Sequence, residues 1–122
     1  MFPVRFAASA LLAVIFMGPT GCYATKRSRE QGKILFEQHC CGCHNGRQLA
    51  VARIPPNLAG IFQQPNLPSG VPASDAMVRS TILEGRSGVM PSFEASLSDR
   101  EIEDIIRYLH SIGPEKDLCA SD

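Results

Sequence analysis

The sequence lacks tryptophan, has no excess of charge of either sign and has no apolar run long enough to span a membrane. Its 122 residues include 12 basic and 12 acidic side chains. Removal of residues 1–21 takes away Arg5 alone, which leaves a net charge near −1. This balance argues against nucleic acid as a partner, because binding to phosphates needs clustered positive charge. The apolar run from Ala7 to Met17 has 11 residues, too few for a permanent transmembrane helix.

Strong strand patterns and a second pair of closely spaced cysteines are also absent. A structural zinc ion needs four ligands, whereas the chain offers one Cys-x-x-Cys pair at Cys40 and Cys43. A thioredoxin-like redox pair needs a strand-helix-strand context, but the segments that flank the cysteines show helical periodicity. Both alternatives are therefore less favoured than a cofactor that uses two thiols and a histidine.

The motif that is present is Cys40-Cys41-Gly42-Cys43-His44, which contains the pattern Cys-x-x-Cys-His. Two thiols three positions apart on a helical turn point to one side, so both can add to the vinyl groups of one haem. The adjacent imidazole of His44 can then bind the iron. The motif predicts covalent attachment of a single haem c.

The first residues have the features of an export signal. Arg5 precedes the apolar run, and small residues follow it at Gly18, Thr20 and Gly21. Thr20-Gly21-Cys22 resembles the lipobox of bacterial lipoproteins, so residues 1–21 are interpreted as a signal peptide and Cys22 as a lipidation site. Cleavage after Ala24 is the alternative. Either route predicts an exported, periplasmic protein, and the first also predicts a membrane anchor.

The rest of the chain predicts an all-α domain. Residues 22–27 look like a tether, and Ser28 with Gln31 forms a capping box that predicts the start of the first helix. A second helix is expected from Ser74 or Asp75 to Gly85, with Met77 in the core. A third is expected from the Ser98 and Glu101 capping box to Gly113. Gly32 and Phe36 form a notch over which Ile105 and Tyr108 are expected to pack.

The side chains that could supply the second iron ligand are methionine, histidine, lysine and cysteine. His39 adjoins the attachment motif, and His110 belongs to the last helix. Met90 lies in a glycine-containing loop and precedes Pro91, which stiffens the backbone. A thioether held in such a loop can coordinate iron with a small ordering cost, so Met90 is the predicted distal ligand.

These residues resemble the class I monohaem cytochromes c of bacteria over nearly all of residues 28–113. The resemblance rests on the attachment motif and on four further segments, namely Gly32 with Phe36, Pro56-Asn57-Leu58-Ala59-Gly60, Gly88-Val89-Met90-Pro91, and Leu97 to Leu109. It implies crossed N- and C-terminal helices, and a hydrogen bond from the imidazole of His44 to the carbonyl of Pro56. Residues 114–122 then form a C-terminal tail.

The resemblance also implies one-electron transfer between a donor and an acceptor protein, with no enzymatic activity. Two alternatives stay open: a fixed haem subunit of a dehydrogenase or oxidase complex, and a ligand sensor or peroxidase-like enzyme with an open iron position. If Cys22 is lipidated, Cys41 and Cys119 remain as an even pair. A disulfide between them is a further hypothesis for an oxidising compartment.

Overall fold

The structure is a computed structural model that describes residues 20–44 and 55–119. These residues form three α-helices, α1 (Thr20–His39), α2 (Asp75–Glu84) and α3 (Asp99–His110), and a short 3-10 helix, Ile61–Gln63. No β-strand occurs in these two ranges, which confirms the predicted all-α fold. Most of the predicted signal peptide and the last residues of the tail, 120–122, lie outside the described part of the chain.

Helices α1 and α3 cross at the notch predicted from the sequence. A Cβ atom at Gly32 would meet the backbone oxygen of Asp104 at 1.9 Å and the Cβ atom of Tyr108 at 3.0 Å. The rings of Phe36 and Tyr108 pack with centroids 5.6 Å apart. Tyr108 therefore lies as expected, and the main chain of Asp104 also lies against Gly32. Ile105 is buried in the same core cluster as Phe36. A glycine permits this arrangement because it has no Cβ atom.

The core lies along this crossing. Phe36 from α1 and three isoleucines from α3 are almost completely buried, the latter being Ile102, Ile105 and Ile106. Each such side chain contributes about 1.5–3 kcal/mol when removed from water. Helix α3 thus lies at the centre of the described domain, where α1, α2 and the 3-10 helix all pack against it.

The predicted start of α1 at Ser28 was wrong. The helix begins at Thr20, so the segment 22–27, expected to be a tether, is helical. Ser28 lies inside the helix, where its hydroxyl donates a hydrogen bond to the carboxylate of Asp104 and accepts one from Arg107 at 2.8 Å. The serine thereby supplies a hydrogen-bond donor to Asp104 of α3, a residue that is only 7% exposed. Sequence pattern alone favours a cap at such a serine, but a distant partner explains its presence here.

The caps of α2 and α3 follow the sequence. Ser74 caps α2 and Gly85 follows its last residue. Ser98 and Glu101 form the predicted capping box at the start of α3. The last helix ends at His110 instead of reaching Gly113. The backbone N–H of Ser111 donates to the carbonyls of Tyr108 and Leu109, so the chain tightens into a turn after His110.

One polar and two apolar side chains of α2 hold this helix against the rest of the domain. Arg79 donates hydrogen bonds to Asp99 at 2.7 Å and Glu103 at 2.6 Å, which ties α2 to α3. Val78 and Ile82 are the buried residues of α2. Met77 is 36% exposed, so its predicted place in the core was wrong. The buried stripe of this short helix is too narrow to include Met77.

Across the described ranges, no helix combines the length and the apolar character needed to cross a membrane.

Candidate haem-attachment site

The attachment motif forms a tight turn that continues from the end of α1. The N–H groups of Cys40 and Cys41 bind the carbonyl of Phe36 at 2.8 and 3.1 Å. The N–H groups of Cys43 and His44 bind the carbonyl of Cys40 at 3.1 and 2.8 Å. This helical geometry directs residues three apart to the same side. Cys40 and Cys43 are both free thiols, as two bonds to one haem require.

His44 is oriented by the loop that carries Pro56. Its Nδ1 atom lies 2.8 Å from the carbonyl oxygen of Pro56, so Nδ1 donates the hydrogen and Nε2 is left as an electron-pair donor. This is the contact that the resemblance implied. The side chain of Asn57 also accepts a hydrogen bond from the N–H of Ala59 at 3.0 Å, which stabilises the turn after Pro56. The loop thereby fixes both the tautomer and the direction of the ring.

The two thiols have different surroundings. Cys43 is exposed, whereas Cys40 is partly buried and packs against the apolar core. Burial raises the pKa of the Cys40 thiol to about 12, and the neighbouring Cys43 adds to the rise. A negative charge on this sulfur is therefore disfavoured. An uncharged sulfur, such as that of a thioether, suits this environment.

Met90 lies at the end of a small hairpin after α2. The N–H of Arg86 donates to the carbonyl of Met90 at 2.8 Å, and the N–H of Met90 donates to the carbonyl of Arg86 at 2.9 Å. The N–H of Phe93 binds the carbonyl of Ile82 at 3.1 Å and holds the following segment to α2. The thioether is therefore presented from a backbone that is fixed on both sides.

A glycine makes this hairpin possible. Gly85 has a φ of 69°, a left-handed value that favours glycine. A Cβ atom on it would lie 2.5 Å from the carbonyl oxygen of Met90 and 2.6 Å from the carbonyl carbon of Pro91. The role of Gly85 and Arg86 was not recognised in the sequence. The spacing of Gly85 and Gly88 around a short segment was the signal that could have indicated a turn there.

The other candidate residues lie in separate places. Cys41 and Cys119 are joined by a disulfide with Cα atoms 5.7 Å apart. Cys22 is exposed on the first turns of α1 and has a free thiol. His39 packs edge-on against the ring of Phe93. His110 is partly exposed, where its ring stacks on Phe62 and its Nε2 atom lies 2.6 Å from Asp75.

The donor set and its surroundings fit a covalently bound haem. Two free thiols and an imidazole with a determined tautomer lie on one turn. A set of partly buried apolar side chains packs against the core, and Cys40 and Met90 belong to it together with Leu58, Ala59, Phe62, Val71, Leu83 and Phe93. Haem needs such an apolar environment, and both proposed iron ligands are of types that haem iron accepts.

Comparison with known proteins identifies the family. Residues 27–109 match the family model described as cytochrome c oxidase, cbb3-type, subunit III. The chain is 30% identical to cytochrome c6 of Synechocystis sp. over 107 residues, which cover 85% of this chain and 84% of that protein. It is 32% identical over 93 residues to the cbb3-type cytochrome c oxidase subunit CcoP of Azospirillum brasilense.

A third relative is the cbb3-type cytochrome c oxidase subunit FixP of Bradyrhizobium sp., which is 31% identical over 88 residues. The matches cover 71% and 70% of this chain but only 29% and 28% of CcoP and FixP, so the chain spans less than a third of those subunits. No solved structure matches the chain significantly. The chain belongs to the c-type cytochromes of this family, as a monohaem class I cytochrome with covalently bound haem c that functions in one-electron transfer.

Proposed function

We propose that this cytochrome is an electron carrier without enzymatic activity of its own, and that it exchanges single electrons with a donor and an acceptor protein. Cys40 and Cys43 hold the haem through thioethers, and His44 and Met90 are the axial ligands. The observation that supports this arrangement most directly is the 2.8 Å contact between Nδ1 of His44 and the carbonyl of Pro56. It leaves Nε2 available for iron on the same turn as the two thiols.

The bound haem supplies one-electron chemistry, with its reduction potential set by its axial ligands and surroundings. The protein supplies orientation. The carbonyl of Pro56 makes the imidazole of His44 a stronger donor, while the soft sulfur of Met90 favours the reduced iron. Because both ligands are held by hydrogen-bonded backbone, they need little rearrangement when the charge of the iron changes.

The proposed ligand set also argues against turnover of a substrate. A side chain on each side of the iron leaves no position for a substrate or for oxygen. The hairpin from Arg86 to Met90 has three backbone hydrogen bonds, which oppose release of the thioether. Transfer through the haem edge is the chemistry that remains.

The visible spectrum of the oxidised protein tests the ligand. A weak band near the red end is expected for sulfur bound to ferric iron, and Met90→Ala should remove it. Met77→Ala is the matched control, because Met77 is exposed on α2 and should leave the band intact. An unchanged band in the Met90 variant would assign the ligand to another residue.

Carbon monoxide separates an electron carrier from a sensor or a peroxidase-like enzyme. Reduced wild-type protein should bind the gas slowly and incompletely, while Met90→Ala should bind it rapidly. Fast, complete binding by the wild-type protein at neutral pH would instead indicate an open or labile iron position.

The relatives supply a second candidate function. Two of them are named as subunits of cbb3-type cytochrome c oxidases, and this chain matches less than a third of each. The chain could accordingly be a fixed haem subunit of a larger complex. Gentle solubilisation of native membranes followed by size-exclusion chromatography distinguishes the two functions. A carrier migrates alone, whereas a subunit migrates with an oxidase or dehydrogenase.

Export and lipid attachment at Cys22 complete the proposal. Cys22 is exposed in α1, and the helix continues without a break from Thr20 to His39. A lipid at Cys22 would therefore be joined to the haem domain by a helix, which restricts the orientation of the domain above the membrane. Detergent phase partition of the mature protein tests this step. Wild-type protein should enter the detergent-rich phase and Cys22→Ala should stay in the aqueous phase.

A further inference from the structure

We infer that the Cys41–Cys119 disulfide determines which thiols of the motif bond to haem, because it removes the third thiol from competition. The inference rests on the proposed function, in which Cys40 and Cys43 carry the thioethers. Three of the four residues from 40 to 43 are cysteines. A free Cys41 would directly follow one haem-bonding position and stand two residues before the other.

The turn directs Cys41 away from the other two thiols. Residues 40 and 43 are three apart and share a side of the helical turn, whereas residue 41 is rotated by roughly 100° from residue 40. Cys41 is partly buried against the core, on the side that meets the C-terminal segment. Its partner, Cys119, is 78 residues away in the sequence.

The C-terminal segment is held beside the motif by contacts other than the disulfide. Leu118 is only 3% exposed, and the hydroxyl of Tyr108 donates a hydrogen bond to its carbonyl at 3.4 Å. The N–H of Cys119 binds the carboxylate of Asp117 at 3.0 Å, and its sulfur lies 3.6 Å from the carbonyl oxygen of His44. Folding of this segment therefore delivers the thiol of Cys119 to Cys41.

The chemistry of the motif explains why protection matters. Addition of a thiol across a haem vinyl group forms one C–S and one C–H bond, without net oxidation. A free Cys41 can undergo the same addition, or it can form a disulfide with Cys40 or Cys43 and so remove a haem-bonding thiol. Pairing of Cys41 with Cys119 releases two protons and passes two electrons to a disulfide-exchange oxidant of the exported compartment. This pairing leaves two thiols for two vinyl groups.

Three forms of the full chain test the inference when each is matured in a host that attaches haem: wild type, Cys119→Ser and the double variant Cys41→Ser/Cys119→Ser. Tandem mass spectrometry of the haem peptide locates each thioether, and non-reducing gels detect wrong disulfides. The wild type should give one haem peptide, bonded at Cys40 and Cys43. Cys119→Ser should lose this homogeneity and yield products bonded or oxidised at Cys41.

The double variant is the decisive control, because it lacks the disulfide but also lacks the competing thiol. It should regain the single haem peptide of the wild type. A homogeneous product from Cys119→Ser would overturn the inference. So would a double variant as heterogeneous as Cys119→Ser, which would assign the disulfide a purely structural role. Failure to find thioethers at Cys40 and Cys43 in the wild type would instead contradict the proposed function.

Discussion

Gly32 of α1 lies against the main-chain carbonyl of Asp104 in α3, at a distance that leaves no room for a side chain. A Cβ atom at position 32 would be 1.9 Å from the carbonyl oxygen and 2.5 Å from the carbonyl carbon of Asp104. The obstacle is backbone within a helix, so a rotamer change cannot relieve it. The two helices approach each other at this point because the sequence has a glycine there.

Gly32→Ala should therefore destabilise the protein, although alanine is ordinarily the better helix former. We expect a loss of about 3 kcal/mol or more in the free energy of unfolding, at the upper end of the cost of overpacking. Denaturant unfolding of the haem-loaded protein measures it. Gly113→Ala is the control, because a Cβ atom there meets nothing within 4 Å. Equal losses in the two variants would contradict the close approach of α1 and α3.

Gly85→Ala should disturb the hairpin that presents Met90. The added Cβ atom would meet the carbonyl of Met90 at 2.5 Å, and the residue would keep a left-handed φ of 69°. We expect a weakened red band in the oxidised spectrum and faster carbon monoxide binding.

Gly88→Ala separates the backbone effect from the steric effect. Gly88 has φ 71°, but a Cβ atom on it meets nothing within 4 Å. The Gly88→Ala variant should lose only about 1–2 kcal/mol of unfolding free energy, through strain in the left-handed backbone. It should leave the red band in place. Loss of the band in both glycine variants to the same degree would show that the contact between Gly85 and Met90 is unimportant.

The capping box of α3 should make stability depend on pH in the acidic range. Hydrogen bonds from the side chain and the backbone N–H of Ser98 lower the pKa of Glu101. A carboxyl group with a lowered folded-state pKa stabilises the protein above its unfolded-state pKa, and this stabilisation disappears as the pH falls through the folded-state pKa. Acid titration of thermal stability should thus show a loss that begins below the ordinary pKa of glutamate.

Glu101→Gln keeps an acceptor for the N–H of Ser98 but has no charge to titrate. Its melting temperature should fall less steeply than that of the wild type over the same acidic range. Ser98→Ala should lose about 1 kcal/mol at neutral pH through the missing cap. Identical acid slopes for wild type and Glu101→Gln would refute the assignment of this pH dependence to the capping box.

Loss of the Cys41–Cys119 disulfide should lower stability without preventing haem attachment. The bond closes a segment with a sequence separation of 78 residues, and its removal should cost about 2–4 kcal/mol, chiefly through a less constrained unfolded state. The variant Cys41→Ser/Cys119→Ser should therefore melt at a lower temperature than the wild type. With the haem iron already reduced in every sample, a thiol reductant should lower the melting temperature of the wild type and leave that of the variant unchanged. If it lowered both equally, another effect of the reductant would be responsible.

Local patterns were sufficient to predict α2, the start of α3 and the covalent haem. The capping box of Ser98 and Glu101 and the start and end of α2 were predicted correctly, because each depends on groups within a few residues of one another. The attachment motif is also local, since one turn determines the relation of Cys40 to Cys43. The family comparison bears out the covalent haem that this motif indicated.

The same local reasoning failed where a distant residue was decisive. Ser28 has the pattern of a helix cap, but it lies within α1, where its hydroxyl binds the carboxylate of Asp104, 76 residues away. Met77 has helical spacing with apolar neighbours, yet the core meets α2 only through a narrow face that omits it. Such partners follow from how the helices cross, which no pattern within one helix describes.

The sequence by itself determined that this protein is an all-α chain that binds haem covalently, through a motif that sets two thiols and a histidine on one turn. It also predicted the loop methionine Met90 as the second ligand. Tertiary structure decided the neighbours of these groups. It brought the carbonyl of Pro56 to His44, Cys119 to Cys41 and the backbone of Asp104 to Gly32. The physical reason is that covalent spacing dictates geometry over one helical turn, whereas contacts between distant segments depend on which apolar surfaces can be buried together.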